Sequence, residues 1–235
     1  MRHPVTLGLR SERPDLHGSG EYWGLAWSAL AWIEENVEPG MATLETGAGA
    51  STIVFASRQT IHEAITPDPT ERERVRAACE RHGVDDSSVS FIFAASHDAL
   101  PVWQPRPLDL VLIDGAHGFP YPILDWWFLA PHVKVGGQML LDDAYLPAVG
   151  AIVQYARQSP SWELEEAVSF RTARIRKVAE DEPPFDAGAE AAHGRMRFDY
   201  LPPGRRVVAS ARQRVFSTRA GLWLVRRLRT PRQAG

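Results

Sequence analysis

Apolar runs of five to eight residues recur between residues 41 and 143, at 41–45, 61–66, 89–94, 108–114 and 136–143. Most are separated by stretches of helical spacing, such as "PTERERVRAACERHG" after the second and "YPILDWWFLAPHV" after the fourth. No other feature constrains the fold as much. Strands that alternate with helices pair side by side as a parallel sheet, with helices packed on both faces. A final pair, "WELEEAVS" and "TARIRKVA" (172–179), is spaced for an antiparallel hairpin at the sheet edge. The expected fold is α/β, doubly wound and mostly parallel. Residues 40–179 form its core, 1–39 an N-terminal arm and helix, and 180–235 a C-terminal extension. The first 20 residues, polar and rich in turn formers, are expected to be a loose arm. The segment "EYWGLAWSALAWIEENVEPG" predicts a helix stopped by Pro39 and Gly40.

Charge divides the chain. Residues 201–235 hold nine arginines and no acid, which leaves 17 basic and 29 acidic residues, or −12, in the first 200. An acidic body argues against nucleic acid as the main partner. No apolar run approaches the ~20 residues of a membrane span. The opening residues lack an apolar signal core. A lone cysteine, Cys79, reads as core-facing and suits a reducing, cytoplasmic setting.

In a parallel open sheet, ligands bind beyond the carboxyl ends of the strands. The first strand ends in Glu45, followed by Thr46, Gly47, Ala48, Gly49, Ala50, Ser51 and Thr52. Bare glycines let backbone approach a ligand, and the next helix aims its N–H groups at the same spot. A dinucleotide turn would carry glycine where Thr52 stands, and would not open on a glutamate. Glu45 repels a diphosphate and attracts an ammonium, so a zwitterionic, amino-acid-like ligand is expected.

"ETGAGAST" resembles the first motif of the class I S-adenosylmethionine-dependent methyltransferases, whose fold is Rossmann-like and whose acidic–Gly–x–Gly turn wraps the cofactor's methionine and ribose. The resemblance runs from about residue 40 to 179 and implies cofactor contacts from Glu45, Thr46, Gly47, Ala48, Gly49, Ser51 and Thr52. The second strand departs from the family, which places a ribose-binding acid at its tip. Here the tip is Thr66 and Asp68 follows two residues later, either as the ribose ligand or as a helix cap. After the third strand, "FAASHDALP" resembles the adenine-side segment, with Ser96 at the contact position.

Acids end the next two strands, Asp114 in "LIDGAH" and the pair Asp142 and Asp143 in "LLDDAY". Adjacent aspartates at a strand tip repel each other and resist desolvation, costs that a cation relieves. An all-oxygen cluster suits Mg²⁺ better than zinc. The pattern resembles the metal-dependent small-molecule O-methyltransferases, and that resemblance implies Asp114, Asp142 and Asp143 as magnesium ligands. Relatives carry a second acid two residues after the strand-four aspartate. This chain has Ala116 there, and neighbouring His117 is the expected base, with Asp114 and Asp143 as its catalytic companions.

The expected function is S-adenosylmethionine-dependent methylation of a small-molecule hydroxyl with magnesium assistance. An NAD- or nucleotide-binding enzyme, or a non-catalytic module on the same fold, is the alternative. Tyr22, Trp23, Phe119 and Tyr121 are candidates to stack on a ring-shaped acceptor, whereas Trp126 and Trp127 read as core. The tail around Arg214, Arg219, Arg226, Arg227 and Arg229 has the pattern of a basic amphipathic helix. Docking onto the acidic body or a second subunit, as a homo-oligomer, is preferred over contact with an anionic membrane surface.

Overall fold

The structure, a computed structural model, describes residues 3–20, 22 and 24–180, with 203–204, 207–208 and 211 beyond them. Trp23 and the arginine-rich tail pattern lie outside the described residues. The strands are β1 (Ala42–Thr46), β2 (Ile61–Thr66), β3 (Val89–Phe93), β4 (Leu108–Ile113), β5 (Val133–Leu141), β6 (Trp162–Leu164) and β7 (Ala173–Lys177). They make one sheet in the order β3-β2-β1-β4-β5-β7-β6. The first five are parallel, and β7 runs antiparallel to both β5 and β6. The expected doubly wound sheet with its edge hairpin is therefore present. The order reverses between β1 and β4, so a crevice must open beyond their carboxyl ends.

Helices cover both faces: α1 (Pro4–Glu12), α2 (Trp27–Asn36), α3 (Ala50–Ser57) and α4 (Pro69–His82) on one, α5 (Ser96–Ala99), α6 (Tyr121–Leu129) and α7 (Pro147–Gln158) on the other. A strand's side chains alternate between faces. In β4, Leu110 and Leu112 enter the core under α2 and α3, while Val111 and Ile113 enter the core under α6 and α7. With both faces covered, Leu110–Ile113 reads as an unbroken apolar run rather than an alternating one. Cys79 is buried, and burial pushes its thiol pKa up to about 12, so it is a packing residue.

The N-terminal arm is not loose. Residues 4–12 form α1, Leu9 is 0% exposed and Leu16 2% exposed. The arm is fixed by a cap from a distant part of the chain. Glu34 on α2 accepts hydrogen bonds from the backbone N–H of Val5 (3.0 Å) and Thr6 (2.9 Å), two of the orphan donors of the α1 N-terminus. At the other end Glu12 meets Arg81 at 2.7 Å and His82 at 2.6 Å on α4. The local sequence around α1 shows neither partner, which is why it read as a loop.

If α1 is part of the core, Leu9→Ala should cost about 2–5 kcal/mol, as buried leucine truncations do. Urea unfolding measures this, and a change within the ~0.5 kcal/mol typical of surface sites would mean that the arm is undocked.

Candidate functional site

A cleft of about 880 Å³ opens at the carboxyl ends of β1, β2, β4 and β5. Backbone pairing gathers the tips there. Gly47 N–H donates to Ile65 O (2.8 Å), Asp114 N–H to Thr46 O (3.1 Å) and Asp142 N–H to Ile113 O (3.0 Å). Twelve of the fourteen residues expected from the sequence line the cleft: Glu45, Thr46, Gly47, Ala48, Gly49, Ser51, Thr66, Ser96, Asp114, His117, Asp142 and Asp143.

Thr52 and Asp68 do not. Thr52 is fully buried and accepts from Gly49 N–H at 2.9 Å, closing the first turn of α3. Asp68 is the N-cap of α4, accepting from Thr70 N–H at 2.9 Å and pairing with Arg74 at 3.3 Å. Of its two sequence readings, the cap holds. The hydrogen bonds from Thr70 keep its carboxyl pKa below the ordinary value.

Gly47 is demanded by geometry. Its φ of +104° is outside the range of ordinary L-residues, and a Cβ there would stand 2.8 Å from Asp114 O. Glu45 departs from its expected role of meeting a ligand's ammonium. The residue is 1% exposed, and both carboxylate oxygens are held from within. Ser51 Oγ donates at 2.6 Å, the Thr52 hydroxyl donates to the other oxygen, and His62 Nε2 lies 3.1 Å from that oxygen. A carboxylate at the end of a buried strand needs such partners. Glu45 clamps the glycine turn to α3 instead of facing the ligand.

The acid missing at the β2 tip is Glu71, on the first turn of α4. It lines the cleft, accepts from the Thr66 hydroxyl at 2.5 Å and lies 2.6 Å from His17 Nδ1. The Asp68-x-x-Glu71 spacing is that of a capping box, which was the available signal. His17 comes from the arm, so residues before 20 help build the cleft. Asp125 on α6 is 0% exposed, beside Ser96, Thr46 and His97, and burial raises its pKa.

Asp114, Asp142 and Asp143 do converge, and with them comes an unexpected cation. Arg171, from the turn between β6 and β7, places Nη2 3.1 Å from Asp142 and Nη1 3.5 Å from Asp143. Thr172 donates its hydroxyl to Asp142 at 2.5 Å. His117 Nε2 is 3.5 Å from Asp143 and 3.8 Å from Asp114. Burial, followed by the Asp142 and Glu45 charges, raises the Asp114 pKa well above the usual range, and Arg171 opposes them. Among the described residues, no three His, Cys, Asp or Glu side chains are grouped to hold a metal ion. The donor set does not fit magnesium as it stands, because a guanidinium faces the two aspartates that would bind it.

Residues 44–144 match the family model described as "Methyltransferase domain". No curated protein sequence matches the chain. Solved structures share its fold. Cofactor-bound Rv0187 from MTB is 19% identical with a TM-score of 0.56, over 75% of this chain and 90% of that one. The O-methyltransferase TomG from Streptomyces achromogenes, in complex with SAM, is 16% identical with a TM-score of 0.57, over 72% and 88%. A protein described as a putative rRNA-methylase from Clostridium thermocellum is 12% identical with a TM-score of 0.53, over 65% and 94%. At these identities the likeness is one of fold. The family match over residues 44–144 and the sheet order are those expected of a methyltransferase domain on a Rossmann-like fold.

Two outcomes test this geometry. Gly47→Ala forces a strained backbone against Asp114 and should cost roughly 1–3 kcal/mol of stability in thermal melts; an unchanged protein would refute the close approach. For Asp125 the folded pKa lies above the unfolded one, so its contribution is present at low pH and is lost as pH rises from ~3.9 through the raised value. Asp125→Asn should therefore gain on the parent as pH rises through that window. A gap independent of pH would contradict the assignment.

Proposed function

We propose that this chain transfers the methyl group of S-adenosylmethionine to a hydroxyl of a small acceptor, with His117 as the base. One observation carries the proposal: at the switch point of the sheet, the Gly47 turn, Glu71 and the His117–Asp143 pair all open into one cleft. Glu71 is suited to accept hydrogen bonds from a ribose, with Thr66 and His17 orienting its carboxyl. Gly47, Ala48 and Gly49 leave room for the methionine portion, and Ser96 stands on the adenine side. Beyond the internally bonded Glu45, the described residues of the cleft carry four acids, Glu71, Asp114, Asp142 and Asp143, against a single arginine. That excess favours a cationic sulfonium over a dinucleotide's diphosphate, which weakens the rival nucleotide-binding assignment.

The reaction is an in-line displacement. The acceptor oxygen attacks the methyl carbon, a C–O bond forms, and the C–S bond breaks with its electron pair left on sulfur. The hydroxyl proton passes to the imidazole of His117. Alignment of nucleophile and methyl group supplies on the order of 7–11 kcal/mol of the barrier reduction. No step needs a metal. The magnesium expected from the sequence would have to compete with Arg171 for the same aspartates.

A small acceptor agrees with TomG, which is described as acting in tomaymycin synthesis. The rRNA-methylase neighbour points to nucleic acid, and the −12 charge of the first 200 residues weighs against that partner. Tyr121 and the exposed Tyr145 line the cleft and offer rings for stacking, and exposed Phe119 stands two residues before Tyr121. From the N-terminal segment, His17 reaches the cleft, where it is placed to help hold the cofactor. The buried, free Cys79 accords with a cytoplasmic setting. No helix among the described residues is long and apolar enough to cross a membrane.

Calorimetry should show S-adenosylhomocysteine binding, weakened about tenfold by Glu71→Gln, the loss of a charge-assisted hydrogen bond. His117→Ala should keep that binding while turnover falls about 10²–10⁴-fold, the usual contribution of a base. No binding by the intact chain would end the proposal.

A further inference from the structure

The magnesium expected at the strand tips is a cation, and the structure already supplies one. We propose that Arg171 is the resident cation of this active site, standing in for a divalent metal at Asp142 and Asp143, so that the site functions without metal. This rests on the methyltransferase assignment above and adds what balances its acidic floor.

Arg171 is not a surface arginine that has drifted onto an acidic patch. Its turn is built around the aspartates. Ser169 Oγ accepts from Arg171 N–H at 3.2 Å and Thr172 N–H at 2.9 Å, and donates to Thr172 Oγ1 at 2.7 Å. Arg171 O accepts from Ala144 N–H at 2.8 Å, tying this turn to the residue that follows the aspartate pair. The neighbouring hydroxyl of Thr172 is on Asp142, which is 1% exposed. Arg171 itself is three-quarters buried at the side chain and also donates to Gly24 O in the arm.

Chemistry favours the guanidinium in that place. Magnesium binds at ~2.0–2.1 Å in a near-ideal octahedron and gives up water reluctantly. A guanidinium stays charged at any working pH and offers several N–H donors in a fixed plane, so one side chain can pair with two carboxylates while donating to a carbonyl. For a metal to enter, Arg171 must leave the buried Asp142 and the Gly24 carbonyl. The same contacts make Arg171 a positioning residue. It holds Asp143, whose other oxygen lies 3.5 Å from His117 Nε2, and it fastens the arm to the floor of the cleft.

The test uses the full chain and Mn²⁺ as a spectroscopic stand-in for Mg²⁺, read by the loss of free Mn²⁺ signal in electron paramagnetic resonance. The parent protein is expected to retain no Mn²⁺ at these aspartates and to show the same melting temperature with and without it. Arg171→Gln and Arg171→Ala remove the charge and should bind Mn²⁺ at least about tenfold more tightly than the parent. Their melting temperatures should rise with added Mn²⁺. Arg171→Lys, which keeps the charge, should stay metal-free. Mn²⁺ binding by the parent that Asp143→Asn abolishes would overturn the proposal, as would neutral variants that bind S-adenosylhomocysteine yet gain no metal. Loss of S-adenosylhomocysteine binding by the parent would instead count against the methyltransferase assignment and leave the metal readout to be judged by itself.

Discussion

The structure depends on one buried carboxylate. Glu45 closes β1, and the hydroxyls of Ser51 and Thr52, with His62 of β2, take up both of its oxygens. Those bonds join the end of the central strand to the first turn of α3 and to the neighbouring strand. They leave the intervening chain one route, through a left-handed Gly47 packed against Asp114 O. The cleft exists because the chain is forced outward and back at that point. Unpaired, such a carboxylate would carry a desolvation cost of several kcal/mol. Paired, it specifies the turn.

From that clamp the remaining groups follow by register. Parallel pairing sets Glu45 level with Ala64 of β2 and Leu112 of β4, so Thr66 and Asp114 fall two positions further along, beside the Gly47 turn, and β5 adds Asp142 and Asp143. The sheet thus concentrates negative charge at one edge of the molecule. Arg171 balances part of it in front of the aspartates, and His62 meets Glu45 from behind at hydrogen-bond distance. What remains in the open cleft is still acidic, the property on which the proposed sulfonium cofactor rests.

The fold was legible because it is written in periodicity. Covered strands such as "LVLI" are uniformly apolar, and helices announce themselves by spacing and caps, as in Asp68 before Pro69. The lining of the cleft was legible for a related reason: strand tips are local, and Gly47, Asp114 and Asp142 stand next to apolar runs. Roles were harder to read than positions. Glu45 looked like a ligand contact because nothing in "ETGAGAST" says whether its carboxylate turns outward or onto Ser51. Partners distant in sequence were invisible. Glu34 caps a helix 28 residues away, and Arg171 reaches Asp142 across 29 positions with no spacing rule to mark it. Glu71 is the intermediate case, since its capping-box spacing was visible while its turn toward the cleft required the fold.

In the proposed function, the Glu45-clamped turn and Glu71 together form the berth of a sulfonium cofactor. A crystal structure of the chain grown with S-adenosylhomocysteine measures this directly. The ribose hydroxyls are expected on Glu71, the amino-acid chain along Gly47–Gly49 and the adenine beside Ser96, with Glu45 still bound to Ser51 and Thr52. A compound lodged elsewhere, or a Glu45 carboxylate swung out to meet it, would contradict that account.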